Sequence, residues 1–214
     1  MGSFSYNTKD YVTASQWYRK SADQGHSLSQ YMLGSMNEFG NGVPENINKA
    51  KELYELASNQ NYSKAQYALA QLYYNGKGVQ TDKIKAKELY LKSANQGNSD
   101  AQYVMGYLYY NSNNFYSAKE MYEKSANQGN MSALNNLGVM YDNGKGVSKN
   151  EKKAFECYKK SAEAGDAFGK YNVALYYYYG KGGNYINKSL AKTWLQKSCN
   201  DGNNNACNFM SNNY

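Results

Sequence analysis

The chain has 214 residues, a formal net charge of +7 and 25 tyrosines. This length allows one domain or one array of repeats, and no apolar run approaches the roughly 18 residues that span a membrane. The lysines are spread along the chain, whereas a nucleic-acid footprint needs them clustered, so the composition argues against nucleic-acid binding and membrane insertion. The first ten residues, MGSFSYNTKD, show no apolar segment of a signal peptide.

One two-helix pattern recurs along the chain. Its first half reads AQYALAQLYYNGKGV at 65–79 and ALNNLGVMYDNGKGV at 133–147, and its second half ends as LYLKSANQG at 89–97. A closing residue recurs at spacings of 36, 36, 32, 36 and 37, at Gly25, Asn61, Gly97, Gly129, Gly165 and Gly202. A phase kept over five intervals predicts a single array of repeats.

The elements follow in chain order from this phase. We predict a half unit over 9–25, five repeats over 26–61, 62–97, 98–129, 130–165 and 166–202, and a partial first helix over 203–214. The repeat 98–129 is four residues shorter and lacks both connector glycines.

Each repeat has two amphipathic helices by its apolar spacing. The predicted core positions of one repeat are Ala65, Leu69, Leu72 and Tyr73 in the first helix, and Ala86, Leu89, Tyr90 and Ala94 in the second. The NGKGV connector supplies glycines that take positive φ and end the first helix. A small residue at one phase lets paired helices approach closely, at Gly34, Ala70, Gly106, Gly138 and Ala174.

The pattern A-x-Y-x-L-G-x-L-Y-x-x-G-x-G-V, followed by A-x-x-x-Y-x-K-[SA]-A-x-x-G, resembles the Sel1-like repeats, which are relatives of tetratricopeptide repeats. The resemblance covers nearly the whole chain. It implies an all-α fold, a right-handed α/α solenoid of helix-turn-helix repeats. It also implies a scaffold or adaptor role in protein complexes.

The run of four tyrosines at 176–179 shows how the phase separates core from surface. Tyr176 and Tyr177 share positions with apolar or aromatic residues of other repeats, so we expect them to pack. Tyr178 shares its position with Glu38, Tyr74, Tyr110 and Asp142, and the charge found there predicts exposure.

By analogy with tetratricopeptide repeats, the first helices line a concave groove. The predicted partner-binding residues are Tyr67, Tyr74, Tyr103, Tyr107, Tyr110, Asn136, Tyr171, Asn172 and Tyr178. Tyrosine is enriched at binding hot spots. The alternative is that a tyrosine-rich composition merely decorates the surface.

Catalytic and cofactor motifs are missing from the sequence. NGKGV lacks the Ser or Thr of a phosphate-binding loop and recurs as a connector. His26 stands alone, whereas a zinc site needs several ligands, so we predict no metal and no cofactor. Glu52 and Glu88 recur beside lysines and indicate solvated helix faces.

The three cysteines differ in setting. Cys157 takes an apolar helix position and is predicted to be a buried thiol. Cys199 and Cys207 bracket a helix–helix turn, so they form either a disulfide or two reduced thiols. The C-x7-C spacing resembles the Helicobacter cysteine-rich proteins, secreted relatives that staple each repeat. A disulfide favours a periplasmic or secreted location, and reduced thiols favour the cytoplasm.

A non-enzymatic binding module is the leading hypothesis. We expect a monomer that holds a protein or peptide, with the positive charge suiting an acidic partner, and a bacterial immunity protein is one specific form. The alternative is penicillin-binding or β-lactamase-like activity, as suggested for the cysteine-rich relatives. No Ser-x-x-Lys sequence is accompanied by the Ser-Asp-Asn or Lys-Thr-Gly elements of those enzymes.

Overall fold

A computed structural model describes residues 10–214, which form twelve helices and no strand. The helices are α1 (Tyr11–Asp23), α2 (Ser27–Phe39), α3 (Ile47–Asn59), α4 (Ser63–Asn75), α5 (Lys83–Asn95), α6 (Ser99–Asn111), α7 (Phe115–Ala126), α8 (Met131–Asn143), α9 (Glu151–Glu163), α10 (Ala167–Tyr179), α11 (Lys188–Asn200) and α12 (Asn204–Asn213). Residues 1–9, including Lys9 of the predicted half unit, lie outside the described range.

The chain divides into two compact units, Met1–Ala101 and Gln102–Tyr214, with the boundary inside α6. In the first unit α2 packs on α3, and α4 packs on α5. In the second unit α8 packs on α9, and α10 packs on α11. This succession of helix pairs confirms the all-α solenoid class of helix-turn-helix repeats. Within residues 10–214, no helix has the length and apolar character needed to cross a membrane.

The second helix of every pair begins with an Asn or Asp cap. The side chain of the cap accepts a hydrogen bond from the backbone N–H three residues on, for example Asn46 from Lys49 at 2.9 Å and Asp82 from Lys85 at 2.9 Å. Such a cap stabilises a helix by about 1 kcal/mol relative to Ala. The same arrangement recurs at Asp10, Asn114, Asn150 and Asn187.

Left-handed residues end the helices where the sequence predicts them. The closing positions all have positive φ, including the single non-glycine, Asn61, at 60°. In the shortened repeat, Asn113 takes φ of 60° in place of the missing connector glycines. Asparagine tolerates this conformation better than most side chains, so the short turn still reverses the chain.

The predicted core positions of the repeat at 62–97 are all buried, which confirms them. The small-residue phase is also confirmed by the space around it. A Cβ added to Gly138 would lie 2.6 Å from the ring of Tyr158, and one added to Gly106 would lie 2.6 Å from the ring of Tyr122. The glycines therefore make room for a buried tyrosine of the paired helix.

A hydrogen bond between two glutamines joins the two helices of a single repeat. The Gln60 side-chain amide donates to Gln30 at 2.8 Å, and that of Gln96 donates to Gln66 at 2.6 Å. In the second unit Gln128 donates to Gln102 at 2.8 Å. Because Gln30, Gln66 and Gln102 are buried, these bonds satisfy groups that would otherwise cost free energy to bury.

Candidate functional site

A cavity of about 390 Å³ opens in the second unit, among α6, α7, α8 and the start of α10. We call it the tyrosine cavity. Its walls are Tyr103, Tyr107, Tyr110, Asn111, Tyr122, Ser132, Asn135, Asn136, Val139, Asp166 and Phe168. The volume falls within the range of ligand pockets, which is roughly 300–1,000 Å³.

Helix geometry brings the aromatic wall together. Tyr103, Tyr107 and Tyr110 stand at i, i+4 and i+7 of α6 and therefore share one face. Tyr107 is 48% exposed, and Phe168 in the first turn of α10 is 55% exposed. Tyr122 is 1% exposed and belongs to the core of the unit. The cavity thus has a rigid inner wall and two accessible aromatic side chains.

Asn136 lies beside two of the tyrosine hydroxyls. Burial raises the pKa of Tyr103, and a hydrogen bond with Asn136 acts in the opposite direction. Burial likewise raises the pKa of Tyr122, again opposed by a hydrogen bond with Asn136. Both hydroxyls therefore stay protonated at neutral pH and can donate hydrogen bonds.

Asp166 supplies the single charged side chain of the cavity wall. It caps α10, where its Oδ2 accepts a hydrogen bond from the Gly169 N–H at 2.7 Å and lies 3.0 Å from Ser161 Oγ, whose single hydrogen also faces the Met131 carbonyl at 2.8 Å. Both contacts involve the same oxygen, so the carboxylate is held in one orientation. Sequence reasoning missed Asp166, although the cap phase was readable: His26, Tyr62, Asn98, Asn130 and Asn203 hold the same place, and none is acidic.

The predicted partner-binding residues do not all lie in one site. Four of them line the cavity, namely Tyr103, Tyr107, Tyr110 and Asn136. Asn172 donates to Asn135 of the cavity wall at 2.8 Å. Tyr171 and Tyr178 pack instead on Phe209, and Tyr67 and Tyr74 lie in the first unit against Tyr90.

The predicted exposure of Tyr74, Tyr110 and Tyr178 is wrong, because all three are half-buried. A neighbouring ring covers each of them: Tyr90 at 6.3 Å, Phe115 at 5.3 Å and Phe209 at 5.1 Å between ring centroids. Glu38, at the same phase, accepts a hydrogen bond from the buried Tyr54 at 2.8 Å. Charge at this phase therefore serves a buried hydroxyl and does not indicate exposure.

The outermost repeat is closed by a disulfide and by stacked rings. Cys199 and Cys207 are bonded, with their Cα atoms 4.9 Å apart. Tyr178 contacts Tyr179 at 5.0 Å and Tyr214 at 6.1 Å between centroids. We call Tyr178, Tyr179, Phe209 and Tyr214 the C-terminal cluster. Cys157 is half-buried and not buried as predicted, and burial raises the pKa of its thiol.

The residues that could have indicated phosphate binding, metal binding or penicillin chemistry are found in ordinary helix and connector positions. The connector residue Lys77 pairs with Glu38 at 3.3 Å, so it fastens one repeat to the preceding one. His26 is exposed at the start of α2. The sequence has one Ser-x-x-Lys stretch, in which Ser189 is exposed and Lys192 Nζ lies 5.2 Å from the Tyr214 ring centroid. In residues 10–214, no three His, Cys, Asp or Glu side chains gather in a way that could hold a metal ion.

The Sel1 repeat family model matches residues 8–26, 27–62, 63–98, 99–130, 132–166 and 167–203. A Sel1 repeat protein from Oxalobacter formigenes is 30% identical, with a TM-score of 0.91 over 96% of this chain and 83% of that chain. The protein c5321, a protective antigen of uropathogenic Escherichia coli strains, is 35% identical, with a TM-score of 0.84 over 92% of this chain and 43% of that chain. This chain thus spans less than half the length of c5321.

More distant similarity extends to proteins with named roles. The immunity protein Pa5087 of Pseudomonas aeruginosa is 20% identical, with a TM-score of 0.57 over 89% of this chain and 74% of that chain, which shows a shared fold alone. The DAP3-binding cell death enhancer 1 of Rattus norvegicus is 38% identical over 50 residues, 23% of this chain. The chain spans about a tenth of the length of that relative and of its mouse counterpart.

Proposed function

Because this chain belongs to the Sel1 repeat family, we propose that it holds an extended peptide segment of a partner protein in the tyrosine cavity. Sel1 repeat arrays are suited to protein–protein interaction and are generally non-enzymatic scaffolds. The proposal adds the place of binding to this family role.

The observation that carries the proposal is the composition and exposure of the cavity wall. Tyr107 and Phe168 present large aromatic areas to solvent, and Asn111 and Asn135 offer amides beside them. A few residues carry most of the binding energy at protein interfaces, and tyrosine is enriched among them. A wall that is already packed, as Tyr122 is, loses little entropy on binding.

Three further observations bear on the partner and on where the two proteins meet. The net charge of +7 supports a partner that is acidic overall. The fold shared with Pa5087 is compatible with an immunity role, which stays a prediction together with the monomeric state. The Cys199–Cys207 disulfide supports a periplasmic or secreted location.

The test compares two exposed tyrosines of the second unit. Tyr107→Ala removes an accessible ring of the cavity, and Tyr116→Ala removes a ring that is 77% exposed on α7 outside it. Both proteins are used to capture partners from a lysate of the source organism, at matched thermal stability. We expect Tyr116→Ala to retain the partner of the wild type and Tyr107→Ala to lose it by about thirtyfold, as for a hot-spot residue. Equal retention by both variants would overturn the proposal.

A further inference from the structure

The charge of the tyrosine cavity is opposite to that of the whole chain. Lys and Arg outnumber Asp and Glu by 24 to 17 overall, yet the cavity wall has one carboxylate and no Lys or Arg. Lys170 is not part of this wall, and its ammonium pairs with Asp201 and donates to the carbonyl of Gly165, the residue before Asp166. The wall of the cavity therefore carries one negative side chain and no positive one.

The Asp166 carboxylate has an oxygen that can accept a hydrogen bond from a ligand. Its Oδ2 lies against Ser161 and Gly169, and among residues 10–214 no donor is hydrogen-bonded to Oδ1. The N-terminus of α10 contributes a partial charge of about +0.5, which is smaller than the full charge of the carboxylate. A net negative charge remains at the cavity wall, and one oxygen can accept from a cation.

The aromatic rings around the carboxylate suit the same ligand. Tyr103, Tyr107, Tyr110 and Phe168 line the cavity together with Asp166. Ring faces attract an ammonium or guanidinium group that lies within about 6 Å, and more strongly where the group is desolvated. Aromatic walls also accept the aliphatic stem of a lysine or arginine side chain.

We propose that the tyrosine cavity binds a lysine or arginine side chain of the partner's peptide, with Asp166 as its counter-ion. The inference rests on the proposed function and adds the chemistry of the residue that is recognised. A glutamate or aspartate in the same place would meet the Asp166 carboxylate and be repelled. The acidic character that the net charge favours would then belong to other parts of the partner.

The test uses defined peptides. Random heptapeptides displayed on phage are selected on the immobilised full chain, and the selected sequences are synthesised and titrated by calorimetry. The titrated chain is the wild type, Asp166→Asn, Asp82→Asn or Tyr107→Ala. Asparagine caps helices at Asn130 and Asn203, so Asp166→Asn keeps the cap and removes the charge. Asp82→Asn makes the same change at the cap of α5, outside the cavity.

We expect the selected peptides to share a lysine or arginine. Asp166→Asn should weaken their binding about tenfold, as for the loss of a charge-assisted hydrogen bond, and Asp82→Asn should change it less than about twofold. Norleucine in place of the basic residue should weaken binding to the wild type and have little further effect on Asp166→Asn. This coupling identifies the two groups as direct partners.

Two results would overturn the inference in distinguishable ways. Peptides that need Tyr107 but bind Asp166→Asn as tightly as the wild type would leave the proposed function standing and reject the basic side chain. Peptides that bind Tyr107→Ala unchanged, or the selection of none, would reject the peptide-binding cavity itself.

Discussion

Tyr110 and Tyr178 hold the same phase in two first helices of the second unit, yet they meet different neighbours. Tyr110 lines the tyrosine cavity, whereas Tyr178 is enclosed by the C-terminal cluster. The difference lies partly in one position of the following first helix, which holds Asn136 in α8 and Phe209 in α12. A tyrosine of a repeat array is thus available for binding only where the next repeat leaves space beside it.

Placing an aromatic ring at position 136 should have the largest effect, because it should remove the difference between the surroundings of Tyr110 and Tyr178. In Asn136→Phe the added ring would occupy the cavity as Phe209 occupies the space beside Tyr178, and the hydrogen bonds of Asn136 would be lost. We expect peptide affinity to fall about a hundredfold, measured by calorimetry. Asn205→Phe places the same ring on an exposed position of α12 as a control. Unchanged affinity in Asn136→Phe would contradict the prediction.

Removing the disulfide should destabilise α12 and leave the tyrosine cavity unaffected. In the double variant Cys199→Ala/Cys207→Ala, the short loop is no longer constrained in the unfolded state, which costs roughly 2–3 kcal/mol. We expect hydrogen exchange of the α12 amides to accelerate, while Asn136 and its neighbours keep their protection. Cys157→Ala, which changes a thiol outside the disulfide, should leave α12 protected. Acceleration throughout the second unit would show that the two ends are not independent.

Truncating the ring of Phe209 tests the stability of the C-terminal cluster. Phe209→Ala removes contacts with Tyr171 and Tyr178, and we expect a loss of about 2 kcal/mol in the free energy of unfolding for this half-buried ring. Tyr107→Ala, at the accessible side of the cavity, should change it by less than about 0.5 kcal/mol. Urea unfolding of both variants provides the measurement. Similar losses would mean that the cavity wall and the cluster are equally structural.

The smallest expected effect is a loss of stability at alkaline pH, which depends on Tyr122 in the wall of the cavity. Burial raises the folded-state pKa of Tyr122 above its unfolded value near 10, so its stabilising contribution is complete below pH 10. That contribution is lost as the pH rises further, by up to about 1.4 kcal/mol per pH unit. Between pH 8 and pH 11 the wild type should therefore lose more stability than Tyr122→Phe. Urea unfolding at both values checks this, with Tyr116→Phe as an exposed control, and equal losses in wild type and Tyr122→Phe would contradict it.

The helix pairs were predictable because their signals are local. Apolar spacing located the buried face of each helix, and the glycines marked residues with positive φ. Even the shortened turn contained its signal, since Asn113 belongs to a residue type that tolerates the left-handed conformation.

The cavity was only partly predictable, since its wall combines residues from four helices. Sequence phase selected Tyr103, Tyr107, Tyr110 and Asn136, but it did not show that Phe115 covers one side of Tyr110. The charge of Glu38 predicts exposure at its phase, whereas the carboxylate accepts a hydrogen bond from the buried Tyr54. Asp166 could have been found by asking which cap of a first helix differs in charge from the others.

The glutamine pairs have a consequence for how the chain folds. Each joins residues only 26 or 30 positions apart, so these joints close within about one repeat of chain. Contacts this local in sequence favour fast folding. During synthesis on a ribosome, each hydrogen bond can form soon after its second glutamine emerges. The repeats then fold in the order in which they are synthesised. The Cys199–Cys207 bond lies C-terminal to all three glutamine pairs, so it forms after the repeats that contain them have folded.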